Sequence, residues 1–284
     1  MRQRTIGDIR VGAVGLGGMP MSIEGRPDTA RSVATVHAAL EAGVTLIDTA
    51  DAYHIGADEV GHNEALVAQA LAAWSGDTSA VLVATKGGHL RPGDGSWTVN
   101  GDPAYLRQAA EASLKRLGVD AIGLYQFHRP DPKVPYAESI GALRRLLDEG
   151  KIRMAGISNA NPAQIREAYA ILGGALVSVQ NQFSPAFRGS EPELRACEDM
   201  GLAFLAYSPL GGIGKAGDLG ERFGKFATVA HAHGVSPQRV ALAWMLAKSP
   251  RLVPIPGASR PESIDDSAQA AGLELTRAEL ADLG

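Results

Sequence analysis

Eight short apolar runs alternate with longer amphipathic ones along the 284 residues, and this predicts an α/β fold closed as a single (β/α)8 TIM barrel. Three observations carry that prediction. Strand then helix, repeated, builds a parallel sheet covered by helices. Eight units are the number that closes a barrel, with a doubly wound sheet as the alternative the pattern leaves open. The third observation is punctuation. Gly43, Gly118, Gly150, Gly173, Gly201, Gly234 and Gly272 each stand just past a helical stretch, where a left-handed residue ends a helix. Asp102-Pro103, Asn161-Pro162 and Ser236-Pro237 each set a capping side chain before a proline of the first turn.

The first strand is read at Val11–Gly18. Arg2 and Arg4 precede it as they would in a signal peptide. However, four glycines interrupt the apolar run, and no clear cleavage site follows. Helix Asp28–Ala42 leads to strand Thr45–Asp51, and Asn63–Ala73 leads to Ala80–Gly87. After a long loop, His89–Asp102, come helix Pro103–Leu117 and strand Ala121–Arg129. Tyr136–Glu149, Pro162–Leu172 and Pro192–Met200 precede strands Ile152–Asn159, Leu176–Phe183 and Ala203–Pro209. A second long loop, Pro209–Arg222, precedes Phe223–His233 and an extra helix, Pro237–Lys248, before the last strand Leu252–Gly257. Loops of such length are usually functional. No linker or low-complexity tract divides residues 1–284, which read as one domain with a short C-terminus.

Composition narrows the function classes. Hydrophobic residues make up 45% and charged ones 20%, with a net charge of −4. That suits a soluble globular chain and neither a disordered one nor a collagen-like fibre. A mild acidic excess argues against tracking nucleic-acid phosphates. No run approaches the ~18 apolar residues of a membrane helix. A single cysteine, Cys197, permits no internal disulfide, which fits a reducing, cytoplasmic setting. The expected partner is a small molecule, with no nucleic acid, membrane or protein partner implied.

Barrel chemistry sits where strands end. Asp48 stands at the end of the second strand and Tyr53 in its loop. Lys86 ends the third strand, His128-Arg129 the fourth, Ser158-Asn159 the fifth; Gln180 lies on the sixth and Tyr207-Ser208 close the seventh. Lysine is scarce, 7 against 20 Arg, so one ending the run Val81–Ala84 is notable. A buried ammonium needs a carboxylate partner, and Asp48 on the neighbouring strand can supply it. Lys86 near Tyr53 would favour tyrosinate and lower the phenol pKa, making a general acid. His128 can donate a hydrogen bond to a carbonyl oxygen as charge develops. A structural ion pair is the plainer reading of Asp48 and Lys86 taken alone.

The sequence resembles the aldo-keto reductases. Gly43-Val-Thr-Leu-Ile-Asp48-Thr-Ala-Asp-Ala-Tyr53 is similar to the family's aspartate–tyrosine signature, and Val83-Ala-Thr-Lys86 to its lysine strand. Leu114–Gly118 with Leu124–His128, Gly150–Arg153 through Gly156–Asn159, Ala206–Leu210 and Ile255–Arg260 follow in family order. The resemblance implies a catalytic tetrad of Asp48, Tyr53, Lys86 and His128, with Tyr53 as acid–base residue and NADPH as cofactor. It places Asp48 at the cofactor too. Ser158, Asn159 and Gln180 would hold the carboxamide and Tyr207 would stack on the nicotinamide. Ser208, Pro209, Leu210 and Gly211 would line the pyrophosphate. Gly257, Ser259 and Arg260 would meet the adenosine phosphate, and NADPH over NADH would rest mainly on Arg260. Where many members end this stretch with Glu-Asn, this chain has Ser263 and then Asp266-Ser267. Met19, His54, Trp97 and Arg129 would border the substrate, in a pocket left open by the short C-terminus. The implied activity is reduction of an aldehyde or ketone. A cofactor-binding regulatory subunit of the same fold is the alternative, and a phosphate-binding barrel lyase or isomerase is a third.

Other motifs fail. Gly15-Leu-Gly17-Gly18 has Pro20 where a dinucleotide loop needs glycine, and Gly214-Lys215 lacks the residues of a phosphate-binding P-loop. No histidine spacing suits a metal. His54, His62, His89, His231 and His233 read as surface or loop residues, Met21 as a neighbour of the active site beside Met19 or else a gap-filler, and Cys197 as a small buried hydrophobe.

Overall fold

The structure is a computed structural model describing residues 1–284. Eight parallel strands form one sheet in sequence order: β1 Leu16–Gly17, β2 Leu46–Asp48, β3 Leu82–Gly87, β4 Ile122–Phe127, β5 Ile152–Ser158, β6 Leu176–Gln182, β7 Ala203–Tyr207 and β8 Leu252–Pro254. Gly15 N donates to Pro254 O at 3.0 Å and Gly17 N to Pro256 O at 2.9 Å. With a parallel bridge from Gly17 to Gly257, these bonds close the sheet on itself. The barrel is therefore present, and the doubly wound alternative is excluded because that sheet keeps two free edges.

The helices are α1 Thr29–Glu41, α2 His62–Ala72, α3 Pro103–Leu117, α4 Tyr136–Asp148, α5 Pro162–Leu172, α6 Glu191–Met200, α7 Leu219–Arg222, α8 Gly224–His233, α9 Pro237–Lys248, α10 Pro261–Ala268 and α11 Arg277–Leu283. The caps work as the sequence suggests. Asp102 accepts from Ala104 N and Tyr105 N, Asn161 from Ala163 N and Gln164 N, and Ser236 from Arg239 N. Six of the seven helix-ending glycines have positive φ, while Gly272 instead closes a 3-10 turn without one. None of these helices is long and apolar enough to cross a membrane.

Alternation of side chains along each strand divides the core in two. Inward residues Leu46, Leu82, Leu124, Met154, Leu205 and Val253 pack inside the barrel. Outward ones such as Tyr125, Ile157, Val179 and Phe204 pack under the helices against Leu106, Leu143, Ile165 and Trp244.

The first predicted strand is two separate elements. Ile9–Gly12 pairs antiparallel with Gln3–Ile6 across a turn holding Gly7, and only Leu16–Gly17 joins the barrel. Ile6 and Val11 of this hairpin pack into the interior cluster and close the end where the strands begin. One apolar run thus spans two elements, because both are buried and the hydrophobic signal does not change between them. The long loop after β3 also holds structure: His89–Leu90 pairs with Thr98–Val99 as a small hairpin over the opposite end.

Candidate active site

The inward phase that fills the barrel with leucines turns polar in its last layers. On β2 the sequence of inward side chains is Leu46 then Asp48, on β3 Leu82, Ala84 then Lys86, and on β4 Leu124 then Gln126. Lys86 has no exposure and Asp48 only 2%. The Lys86 ammonium donates to Asp48 Oδ1 at 2.5 Å, Thr49 O at 2.9 Å and Tyr53 Oη at 2.9 Å. Three acceptors match its three protons. Gln180 and Gln126 donate to the other carboxylate oxygen, at 2.7 and 3.2 Å. Gln126 was not singled out from the sequence. Its inward parity, two residues before His128, was the available signal.

Burial would drive the Lys86 pKa down, but the Asp48 carboxylate and the Tyr53 oxygen beside it hold the net shift upward. The ammonium is therefore charged. For Tyr53 the balance falls the other way from the sequence expectation. Burial pushes the phenol up, Asp48 adds to that, and Lys86 only partly opposes it. Tyr53 is kept protonated. The Tyr53 and His128 rings meet edge to face with centroids 5.8 Å apart. Burial, followed by the charges of Lys86 and others, drives His128 well below the ordinary histidine pKa, so its imidazole is neutral. Its Nδ1 has no hydrogen-bond partner.

His89 is no bystander. It stands edge-on to His128 at 4.9 Å and stacks on Trp97 at 4.7 Å. Its pKa is pushed down to about 4, first by burial and then by Arg129 and Lys86. The hairpin after β3 thus brings a neutral aromatic wall over the site. A loop position says nothing about which way a ring folds back, so this was hidden in the sequence. Arg91 anchors the same hairpin, pairing with Glu24, donating to His54 O and lying 5.0 Å from the Trp97 ring. His54 is buried, with its Nδ1 on Gly56 O at 2.7 Å. It braces the wall rather than lining open space. Met19 is half-buried in the turn after β1.

Beside this floor, Ser158 donates to Gln180 O at 2.7 Å, and the Asn159 amide donates to Ser158 Oγ and His128 O at 3.0 Å each. Asn159 Oδ1 accepts from Tyr207 at 2.8 Å and from Arg129 at 3.2 Å. Asn159 and Ser208 have φ of +56° and +50°, the two non-glycine residues in that strained region, a feature that gathers at functional sites. Pro209 is buried and Leu210 half-buried in the loop beyond. An added Cβ at Gly211 would come within 3.2 Å of the Arg222 guanidinium and 3.4 Å of Lys215 Cβ. Arg222 is a second residue the sequence did not single out.

At the far end, Gly257 lies against Pro20, and Ser259 is half-buried. Arg260 opens α10 with its guanidinium exposed and its Nε on Ser263 Oγ at 2.9 Å. No side chain caps the free N–H groups of α10. Asp266 has partners of its own within the protein. Arg239 of α9 holds Asp266 at 2.6 Å, Ser236 donates to it at 2.5 Å, and Ser267 is buried.

The model of the Aldo/keto reductase family matches residues 13–283. The chain belongs to that family. An oxidoreductase of Schizosaccharomyces pombe, described as uncharacterized, is 35% identical over 277 residues, which are 95% of this chain and 85% of that protein. Among solved structures, the thermostable aldo-keto reductase Tm1743, in complex with the inhibitor epalrestat, superposes with a TM-score of 0.82 at 27% identity, covering 100% of this chain and 98% of that one. An aldo-keto reductase from Klebsiella pneumoniae in complex with NADPH gives 0.82 at 30% identity, over 100% and 94% of the two chains. As in an aldo-keto reductase, the chemistry assembled here is that of oxidoreduction.

Proposed function

We propose that the protein reduces an aldehyde or ketone to the alcohol with NADPH, with Tyr53 as the proton donor. One observation carries this reading: a fully buried Lys86 links Asp48 to the Tyr53 hydroxyl at 2.5 and 2.9 Å. The residues present fit the cofactor. The loop from Ser208 to Gly214, with backbone made open by Gly211 and with Arg222 beside it, suits a diphosphate. The uncapped N-terminus of α10 next to Arg260 suits a further phosphate, because free N–H groups and a guanidinium both bind anions. Ser158, Asn159 and Gln180 would hold the carboxamide, with Tyr207 against the ring.

NADPH, when bound, supplies a hydride to the carbonyl carbon. Tyr53 gives its proton to the carbonyl oxygen as negative charge develops there. The phenolate left behind sits 2.9 Å from the Lys86 ammonium, which stabilises it. Asp48, held by Gln126 and Gln180, keeps that ammonium charged and in place. His128, being neutral, donates a hydrogen bond to the same oxygen without competing for the proton.

Tyr53→Phe tests the reading. Turnover should fall by roughly 10²–10⁴, while NADPH affinity, followed through quenching of Trp97 fluorescence, stays close to wild type. A variant with wild-type turnover would remove Tyr53 from the chemistry. A wild-type protein that binds no NADPH would sink the reading as a whole.

A further inference from the structure

We infer that the substrate carries a carboxylate a few carbons from its carbonyl, and that Arg129 at the mouth of the barrel anchors it. The inference rests on the reductase reading and names the substrate class of that same site.

Charge balance around the carbonyl position is uneven. Lys86 is paired with Asp48, Arg91 with Glu24 and Arg26 with Glu59. Arg129 is exposed at the end of β4 and takes part in no ion pair; its acceptors are both neutral, the Asn159 oxygen at 3.2 Å and the Tyr207 hydroxyl. Its guanidinium has five N–H donors, more than these two acceptors use. The charge nevertheless lies beside the site, because Asn159, which accepts from Arg129 at 3.2 Å, also donates to His128 O at 3.0 Å. After burial, it is the largest influence pushing His89 down, and it acts on His128 as well. Both imidazoles are neutral and no carboxylate acts on them, so Arg129 is an uncompensated positive charge next to the residue proposed to bind the carbonyl oxygen.

Geometry sets the ligand. Arg129 follows His128 directly, so their Cα atoms are about 3.8 Å apart, and one side chain reaches the floor while the other reaches the rim. A carbonyl at Tyr53 and His128 therefore leaves room for a short chain ending at the guanidinium. A single planar fork carrying one positive charge matches the one negative charge of a carboxylate with two parallel bonds. The Trp97–His89 stack gives the intervening methylenes an apolar wall.

The test compares aldehydes that differ only in the terminal group: 4-oxobutanoate against butanal, and 5-oxopentanoate against pentanal, each with saturating NADPH. The wild-type protein should favour the carboxylated member of at least one pair by roughly 10- to 100-fold in kcat/KM, the size of one charge-assisted pairing. Arg129→Ala should bring that ratio close to one, mainly through KM, and Arg129→Lys should restore part of it. NADPH affinity is measured alongside. No preference in the wild type, or equal losses on both members of each pair with weaker NADPH binding, would overturn the inference and give Arg129 to the cofactor. Failure to reduce any of the four aldehydes would sink the reductase reading itself, and this inference with it.

Discussion

At Tyr53 two effects pull in opposite directions, and their balance was not readable from residue types. Lys86 favours the phenolate, as its place at a strand end suggests, but loss of water around the ring outweighs it. The same accounting applies to Asp51, three residues past Asp48. It is buried with its Oδ1 unpartnered, and burial together with the nearby Glu64 carboxylate raises its pKa to about 8. In the unfolded chain it ionises near the ordinary ~3.9. Between those values the folded protein binds the extra proton, so its stabilising contribution is complete below about pH 4 and is lost as pH rises through about 8. Asp51→Asn removes that dependence. The melting temperature of the variant, relative to wild type, should therefore climb between pH 5 and pH 9 by about 7 °C, since each pH unit below about 8 is worth about 1.4 kcal/mol. A flat difference would show that Asp51 is ionised in the folded state.

At the scale of elements, β5 must let β4 and β6 close in. Gly156 faces the interior, where an added Cβ would lie 2.5 Å from Ser178 Oγ and 2.9 Å from Gln126 Cγ. Gly156→Ala should cost about 1–3 kcal/mol in denaturant unfolding. It should also lower activity, because Gln126 is displaced from Asp48. Gly174→Ala, with nothing within 4 Å of its added carbon, is the control and should stay within about 0.5 kcal/mol of wild type. Equal effects would show that contact with Ser178 and Gln126 does not set the cost. Elements were legible in the sequence wherever a local signal marks them. Asp102, Asn161 and Ser236 before proline fixed three helix starts, and period-two alternation set the phase of Asp48 and Lys86. The hairpin at His89–Val99 carries no such signal, because its strands are two residues each and exposed or half-exposed. The ion pair of Asp266 with Arg239 joins residues 27 apart in sequence, beyond what a local motif reports.

For the whole molecule, the cofactor reading predicts a stabilisation that depends on one phosphate. A ligand in roughly hundredfold excess over its Kd adds about 2.7 kcal/mol, which for a chain of this length raises the melting temperature by about 4 °C. NADPH should give a larger shift than NADH at equal concentration, and Arg260→Ala should erase the difference while sparing the NADH shift. Equal shifts in wild type would leave Arg260 a solvated helix-start residue. The eight-fold closure and the clustering of Asp48, Tyr53, Lys86 and His128 were legible because both are written in order along one chain. The direction of each side chain's charge balance was not, since it depends on which groups surround it in three dimensions.

The hairpin Gln3–Gly12 makes the barrel a blind-ended vessel. With Ile6 and Val11 seated among the interior residues, water has no route to Lys86 from below, and everything that enters must leave by the same door. On the proposed function, substrate and product would share one passage, at the end of the barrel where Trp97 and Arg129 lie. An inhibitor lodged at the rim would then slow product departure as much as substrate arrival.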